Sequence, residues 1–222
     1  MAQTEQKNQN VKKQFEELQS LLERAMALQT SMVLFEWDDE TLAPKGAAEH
    51  TARVIGSLSE QYQEILASMR FKELLDVCQK AEKENAGVFD EVQSAILREA
   101  AEEQERLSCI PPEEYRAYAE LTARATGIWT RAREKNDFAS FAPVLKEIIS
   151  YQKKFAAYRA KPGQKLYDVM LDTYEKGFNM EMLDPFFELM KGKIVPLLKE
   201  SADRSKTVPD AFLSADYPEA AQ

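Results

Sequence analysis

Histidine is nearly missing from this chain: its 222 residues contain one, His50. A catalytic zinc site takes about three protein ligands from His, Cys or carboxylate and leaves one position open for water. There is no H-E-x-x-H pair to set two imidazoles on one helix face, and nothing completes a site begun by His50 and Glu49. His50 reads as a surface or half-buried helix residue. Cysteine is almost as scarce, with Cys78 and Cys109 far apart and no C-x-x-C. No disulfide framework follows, and both thiols read as small buried hydrophobes in a reducing compartment. A G-x-S-x-G elbow, a P-loop and a G-x-G-x-x-G fingerprint are all absent. No residue is therefore assigned as catalytic, cofactor-binding or metal-binding.

Glycine is sparse too, at 7 residues. Sheet proteins lean on Gly-rich tight turns, so the scarcity argues for helices. Ala, Leu, Glu, Lys, Gln and Met, the residues a helix penalises least, are abundant. No apolar run approaches the ~18 residues of a membrane span. The polar stretch Met1 to Asn10 has no signal-peptide core. A net charge of −9 repels phosphate backbones and anionic lipid surfaces. These features predict a soluble, cytoplasmic, all-α protein with neither nucleic acid nor membrane as partner. A hydrophobic fraction of 44% beside 30% charged residues suffices for a core. The expected organisation is a single helical region over residues 1–222.

Apolar periodicity predicts about seven or eight helices. Phe15, Leu18, Leu22, Ala25 and Met32 share one face of a long first helix that ends near Glu36 to Asp39. Pro44-Lys45-Gly46 turns the chain into a second helix carrying Val54, Leu58 and Tyr62. Further helices follow over Phe71 to Lys83, around Phe89 to Leu107, and from Pro111-Pro112-Glu113-Glu114, a proline-and-acid helix start. Asn136-Asp137-Phe138 reads as a turn before a helix holding Phe141 to Phe155. A short helix over Leu166 to Tyr174 and a last one capped by Asn179 complete the array, with Pro196 expected to kink or end the last. Residues 204–222 read as an irregular tail, and the apolar Phe212, Leu213 and Tyr217 near its end suggest a truncation point.

With 38 acids, adjacent carboxylates arise readily by chance, as at Asp38-Asp39 and Glu113-Glu114, and mostly form solvated faces. Three clusters are less ordinary. Trp37-Asp38 sets an indole and a carboxylate at a helix end, where a buried anchor and a cap for the next helix are expected. Trp129 and Arg133 lie four residues apart, hence on one helix face, shortly before Asp137. Tyr167 to Glu175 mixes aromatics with Asp168, Asp172 and Glu175. If the Trp129 face turns inward, Arg133 must be paired, because an unpaired buried charge is very costly. Asp137, Asp168, Asp172 and Glu175 are its candidate partners, in a network fixing helix positions; the alternative is a ligand-channel lining.

In this order the clusters resemble motifs of the carboxypeptidase Taq family of zinc metallocarboxypeptidases. Trp37-Asp38-Asp39-Glu40-Thr41 with Pro44 and Gly46 is similar to its W-D-Q-E-T-x-M-P-x-G. Trp129, Ala132-Arg133, Asn136-Asp137-Phe138, Phe141 and Pro143 are similar to W-x-x-A-R-x-x-N-D-F-x-x-F-x-P. Tyr167-Asp168, Leu171-Asp172, Tyr174-Glu175 and Gly177 are similar to Y-D-x-L-L-D-x-Y-E-x-G. Tyr217 to Gln222 also resembles a stretch preceding the family's metal-binding half. Asp39 and Ala43 depart from the family's usual Gln and Met.

The resemblance implies an N-terminal helical half: one wall and the roof of a deep cleft. The family's zinc ligands and general base lie downstream of the matched motifs. The intact enzyme would use zinc to activate water and polarise the scissile carbonyl, removing single residues from peptide C-termini. This chain alone is expected to bind no zinc and to be inactive. Its implied partner is the missing C-terminal catalytic half. A peptide substrate belongs only to the intact enzyme, and a homodimer is open. The alternative is a non-catalytic helical interaction module derived from the same scaffold.

Overall fold

The computed structural model describes residues 2–205 apart from residue 86, together with residues 211–214. Most of the tail, including Pro209, Tyr217 and the stretch to Gln222, lies outside the described residues, as does the expectation placed on it. The described residues form eight α-helices and no strand: α1 Ala2–Thr41, α2 Ala48–Leu66, α3 Met69–Glu84, α4 Glu91–Ser108, α5 Pro112–Glu134, α6 Phe138–Arg159, α7 Leu166–Tyr174 and α8 Met180–Ser205. Short 3₁₀ turns occur at Lys45–Ala47 and Ala211–Ser214. The all-α array read from the sequence is the observed one. Two compact units divide it, Met1–Ala160 and Lys161–Gln222.

In the first unit the apolar stripe of α1 does what its period predicts. Val11, Phe15, Leu18 and Ala25 are buried against Phe71, Leu74, Leu75 and Cys78 of α3 and Leu97, Ala100 and Leu107 of α4. Phe15 and Phe89 meet with ring centroids 5.0 Å apart. Short polar side chains punctuate the helices. Ser68 accepts from the Phe71 amide at 3.1 Å to start α3. Asp90 and Gln93 form a reciprocal capping box at α4, which satisfies two amides that the helix itself cannot. The prolines at residues 111 and 112 start α5, where a missing N–H costs nothing.

α2 packs on both α1 and α5, and α6 packs on α5. Gly56 permits the close approach of α5: a Cβ there would lie 2.3 Å from Glu120 Cγ. Glu120 in turn accepts from Arg116 Nε at 3.0 Å, while Arg116 Nη1 reaches Glu60 of α2 at 2.9 Å. Gln63 is fully buried in α2, and its Nε2 donates to the carbonyls of Leu107 (3.1 Å) and Ile110 (2.6 Å). It thereby supplies a donor to the Ile110 carbonyl just beyond α4 and a second one to the Leu107 carbonyl, which also accepts from the Ile110 amide at 3.1 Å. On the far side of α5, Tyr118, Tyr151 and Phe155 form a tilted and edge-on aromatic cluster with α6.

In the second unit Pro196 does not terminate the last helix, which runs on to Ser205. Proline removes one amide and crowds the carbonyl four residues back. Here that residue is Gly192. Among the described residues no helix is long and apolar enough to cross a membrane.

Candidate functional site

The connector between α5 and α6 explains the Asn136-Asp137-Phe138 motif. Asn136 has φ +52°, a left-handed conformation that Asn tolerates better than most residues. The Asn136 amide donates to the Arg133 carbonyl at 3.1 Å and the Asp137 amide to the Ala132 carbonyl at 2.7 Å. This pair of bonds is a Schellman closure of α5. Asp137 then opens α6: its Oδ1 accepts from the Ser140 amide at 3.2 Å, and its Oδ2 accepts from the Ser140 hydroxyl. These bonds, the Ser140 hydroxyl first, hold the Asp137 carboxyl below the usual aspartate range. One residue ends a helix and the next begins another, so the motif is a helix-to-helix joint.

The joint sets the end of α5 that carries Trp129 and Arg133. The guanidinium carbon of Arg133 stands 5.3 Å from the Trp129 ring centroid, a cation–π contact. Both side chains are exposed, Trp129 at 45%. The inward-facing premise behind a buried Arg133 pair is thereby corrected. The inward side of α5 is built by Leu121, Ala125 and Ala132, and the 129/133 positions fall on its margin.

The acidic cluster is also built into the chain's framework. Asp168 and Asp172 share one face of α7. Asp168 Oδ1 accepts from the Met180 amide at 2.9 Å, and Asp172 Oδ1 accepts from the Gly177 amide at 2.8 Å. Gly177, at φ +82°, takes a conformation that L side chains resist. Asn179 Oδ1 accepts from the Met182 amide at 3.0 Å, as its capping role requires. The two carboxylates therefore order the turn from α7 into α8. Glu175 follows α7 directly, its amide donating to the Leu171 carbonyl at 2.8 Å.

Trp37 departs from expectation: it is 56% exposed near the end of α1 rather than a buried anchor. Asp38 does not cap the following helix. Its backbone carbonyl accepts from the Leu42 and Ala43 amides at 2.9 and 2.8 Å, and the start of α2 has no side-chain cap. The indole lies on the end of α1 that also leaves Val33 and Leu34 uncovered. Those neighbours are apolar enough to form a core, yet they stand 55% and 61% exposed among the described residues.

His50 is exposed. Cys78 is buried, and burial pushes its thiol up to about 11. Cys109 is only half-buried, correcting the expectation of a buried thiol, and its Sγ donates to the Arg106 carbonyl at 3.4 Å. Among the described residues no group of three His, Cys, Asp or Glu side chains is arranged to hold a metal ion. Zinc, which favours His and Cys in a closed tetrahedron or a three-ligand open site, does not fit this donor set. Gln63 was not legible as a key residue, since its importance depends on which carbonyls face it. The turn at Asn136 had a signal in a turn-type residue between two apolar helices, whereas Asp168, inside α7, had none.

An all-helical scaffold whose motif residues at Asn136, Asp137, Asp168 and Asp172 form joints and caps is the class of protein these features define. The profile of the carboxypeptidase Taq (M32) metallopeptidase family matches residues 17–222, and the chain belongs to that family. It is 32% identical over 202 residues to carboxypeptidase 1 of Bacillus subtilis, a match covering 91% of this chain and 39% of that protein. Against thermostable carboxypeptidase 1 of Pyrococcus furiosus the identity is 30% over 183 residues, covering 82% of this chain and 36% of the relative. The BsuCP crystal structure superposes with a TM-score of 0.87 at 31% identity, over 94% of this chain and 41% of that one. The chain thus spans about 40% of the length of the relatives it matches.

Proposed function

We propose that this chain is the N-terminal helical portion of a zinc-dependent metallocarboxypeptidase that removes C-terminal residues from peptides. The observation carrying this reading is the family match along residues 17–222 together with coverage of only about 40% of the relatives. The donor set of this chain does not fit zinc, so the metal, its ligands and the general base belong to the remaining part of the family fold. This portion contributes shape: Asn136, Asp137, Asp168 and Asp172 fix helix ends, and the helices they join form part of the cleft wall.

The test is release of the C-terminal residue from a short N-blocked peptide. No release above background is expected from this chain alone, with or without added zinc. Release is expected once the chain is joined to the part of Bacillus subtilis carboxypeptidase 1 that lies outside the match. Turnover by the isolated chain that a chelator stops and His50→Ala abolishes would overturn the reading.

A further inference from the structure

We infer that α8 is a docking element with two sides, built to be enclosed by the remaining polypeptide of the family fold. This rests on the reading of the chain as one portion of that fold. Met182, Phe186 and Leu189 form one strip along α8, and Phe187, Ile194 and Leu198 form another. All six are between 39% and 61% exposed. At 3.6 residues per turn the two strips stand ~130° apart around the helix axis. A surface helix of a globular protein needs one apolar stripe roughly 100° wide, whereas a helix apolar over most of its circumference is a core helix of a larger protein.

The width of the apolar arc decides the occupant. A neighbouring helix lies 8–10 Å away and covers one strip, so two strips this far apart need neighbours on two sides. A second copy of the chain docking about a two-fold axis presents one patch to one patch, which leaves the other strip in water. The remaining family polypeptide, which makes up about 60% of each relative, is long enough to supply several helices around α8. The polar side of α8, where Lys199 stands, marks where that enclosure ends.

The experiment replaces the matched part of Bacillus subtilis carboxypeptidase 1 with this chain and introduces Leu189→Asp, Leu198→Asp or Lys199→Asp. Each is also made in the isolated chain. In the isolated chain all three sites are exposed, so the helical signal and melting temperature should stay near the parent values. In the chimera, Leu189→Asp and Leu198→Asp should each abolish soluble folded protein or lower the melting temperature by several degrees. Lys199→Asp, with a similar helix-propensity cost, should not. A chimera that tolerates Asp at either strip overturns the inference, and so does one that fails to fold with α8 intact. An isolated chain that dimerises and is made monomeric by Leu198→Asp, while the chimera is unmoved, assigns the face to a second copy instead. A folded chimera without peptidase activity would count against the proposed function and leave the docking inference standing.

Discussion

Replacing Asp168 by alanine tests whether the acidic motif is framework. Asp168 Oδ1 accepts from the Met180 amide at 2.9 Å, at the first residue of α8. That amide is among those a helix start leaves without an internal partner. Loss of such a cap costs ~0.5–2 kcal/mol, and tenfold in an equilibrium corresponds to ~1.4 kcal/mol. Asp168→Ala should therefore speed hydrogen exchange of the Met180 amide by ~2–30-fold where exchange follows local opening. Asp168→Asn keeps an accepting oxygen and should stay near the parent rate. The buried core of α1, α3 and α4 contains no residue of α7 or α8, so its slow-exchanging amides should be unaffected. An unchanged Met180 rate in Asp168→Ala would refute the reasoning. So would Asp168→Asn behaving like alanine, and either result would reopen a chemical role for this carboxylate.

Gln63→Leu removes the hydrogen bonds to Leu107 and Ile110 and takes the side-chain donor from the Ile110 carbonyl, while the Leu107 carbonyl keeps the Ile110 amide at 3.1 Å; it also deletes an Oε1 without a hydrogen-bond partner. A net loss of ~1–3 kcal/mol is expected in urea denaturation, and an unchanged midpoint would show that the clamp is dispensable. Cys78 should resist a thiol reagent at pH 8 until the chain unfolds, whereas the half-buried Cys109 should react first. Because burial raises the Cys78 thiol from 9.0 to about 11, its contribution to stability is full below pH 9 and is lost as pH rises towards 11. Equal rates for the two thiols would contradict this. Arg133→Ala and Trp129→Ala should couple by ~0.5–1 kcal/mol in a double-mutant cycle, the size of an exposed cation–π contact; zero coupling removes the contact. Trp37→Ala should cost less than ~2 kcal/mol in the isolated chain, since the indole is half in water. A larger loss would mean that the indole is enclosed in solution.

Helix content, most helix boundaries and the family were legible in the sequence, because periodicity, caps and short motifs are local. The stripe Phe15, Leu18 and Ala25 announced a buried face, and it is buried. Asn179 before an apolar helix announced a cap, and it caps. Whether an apolar face finds a neighbour inside the chain is a tertiary question. Trp37 and the stripe of α1 are equally apolar in sequence, yet α3 and α4 cover only the stripe. Arg133 looked like one member of a buried pair, but its position on α5 lies outside the inward face, and it stacks on Trp129 instead. The acids at Asp137, Asp168 and Asp172 carried no mark in the sequence separating chemistry from capping. That distinction came from which backbone amides the fold placed within about 3 Å of each carboxylate. Local propensity sets where helices start and stop, while contacts between residues distant in sequence decide which faces stay dry and what each polar group must satisfy.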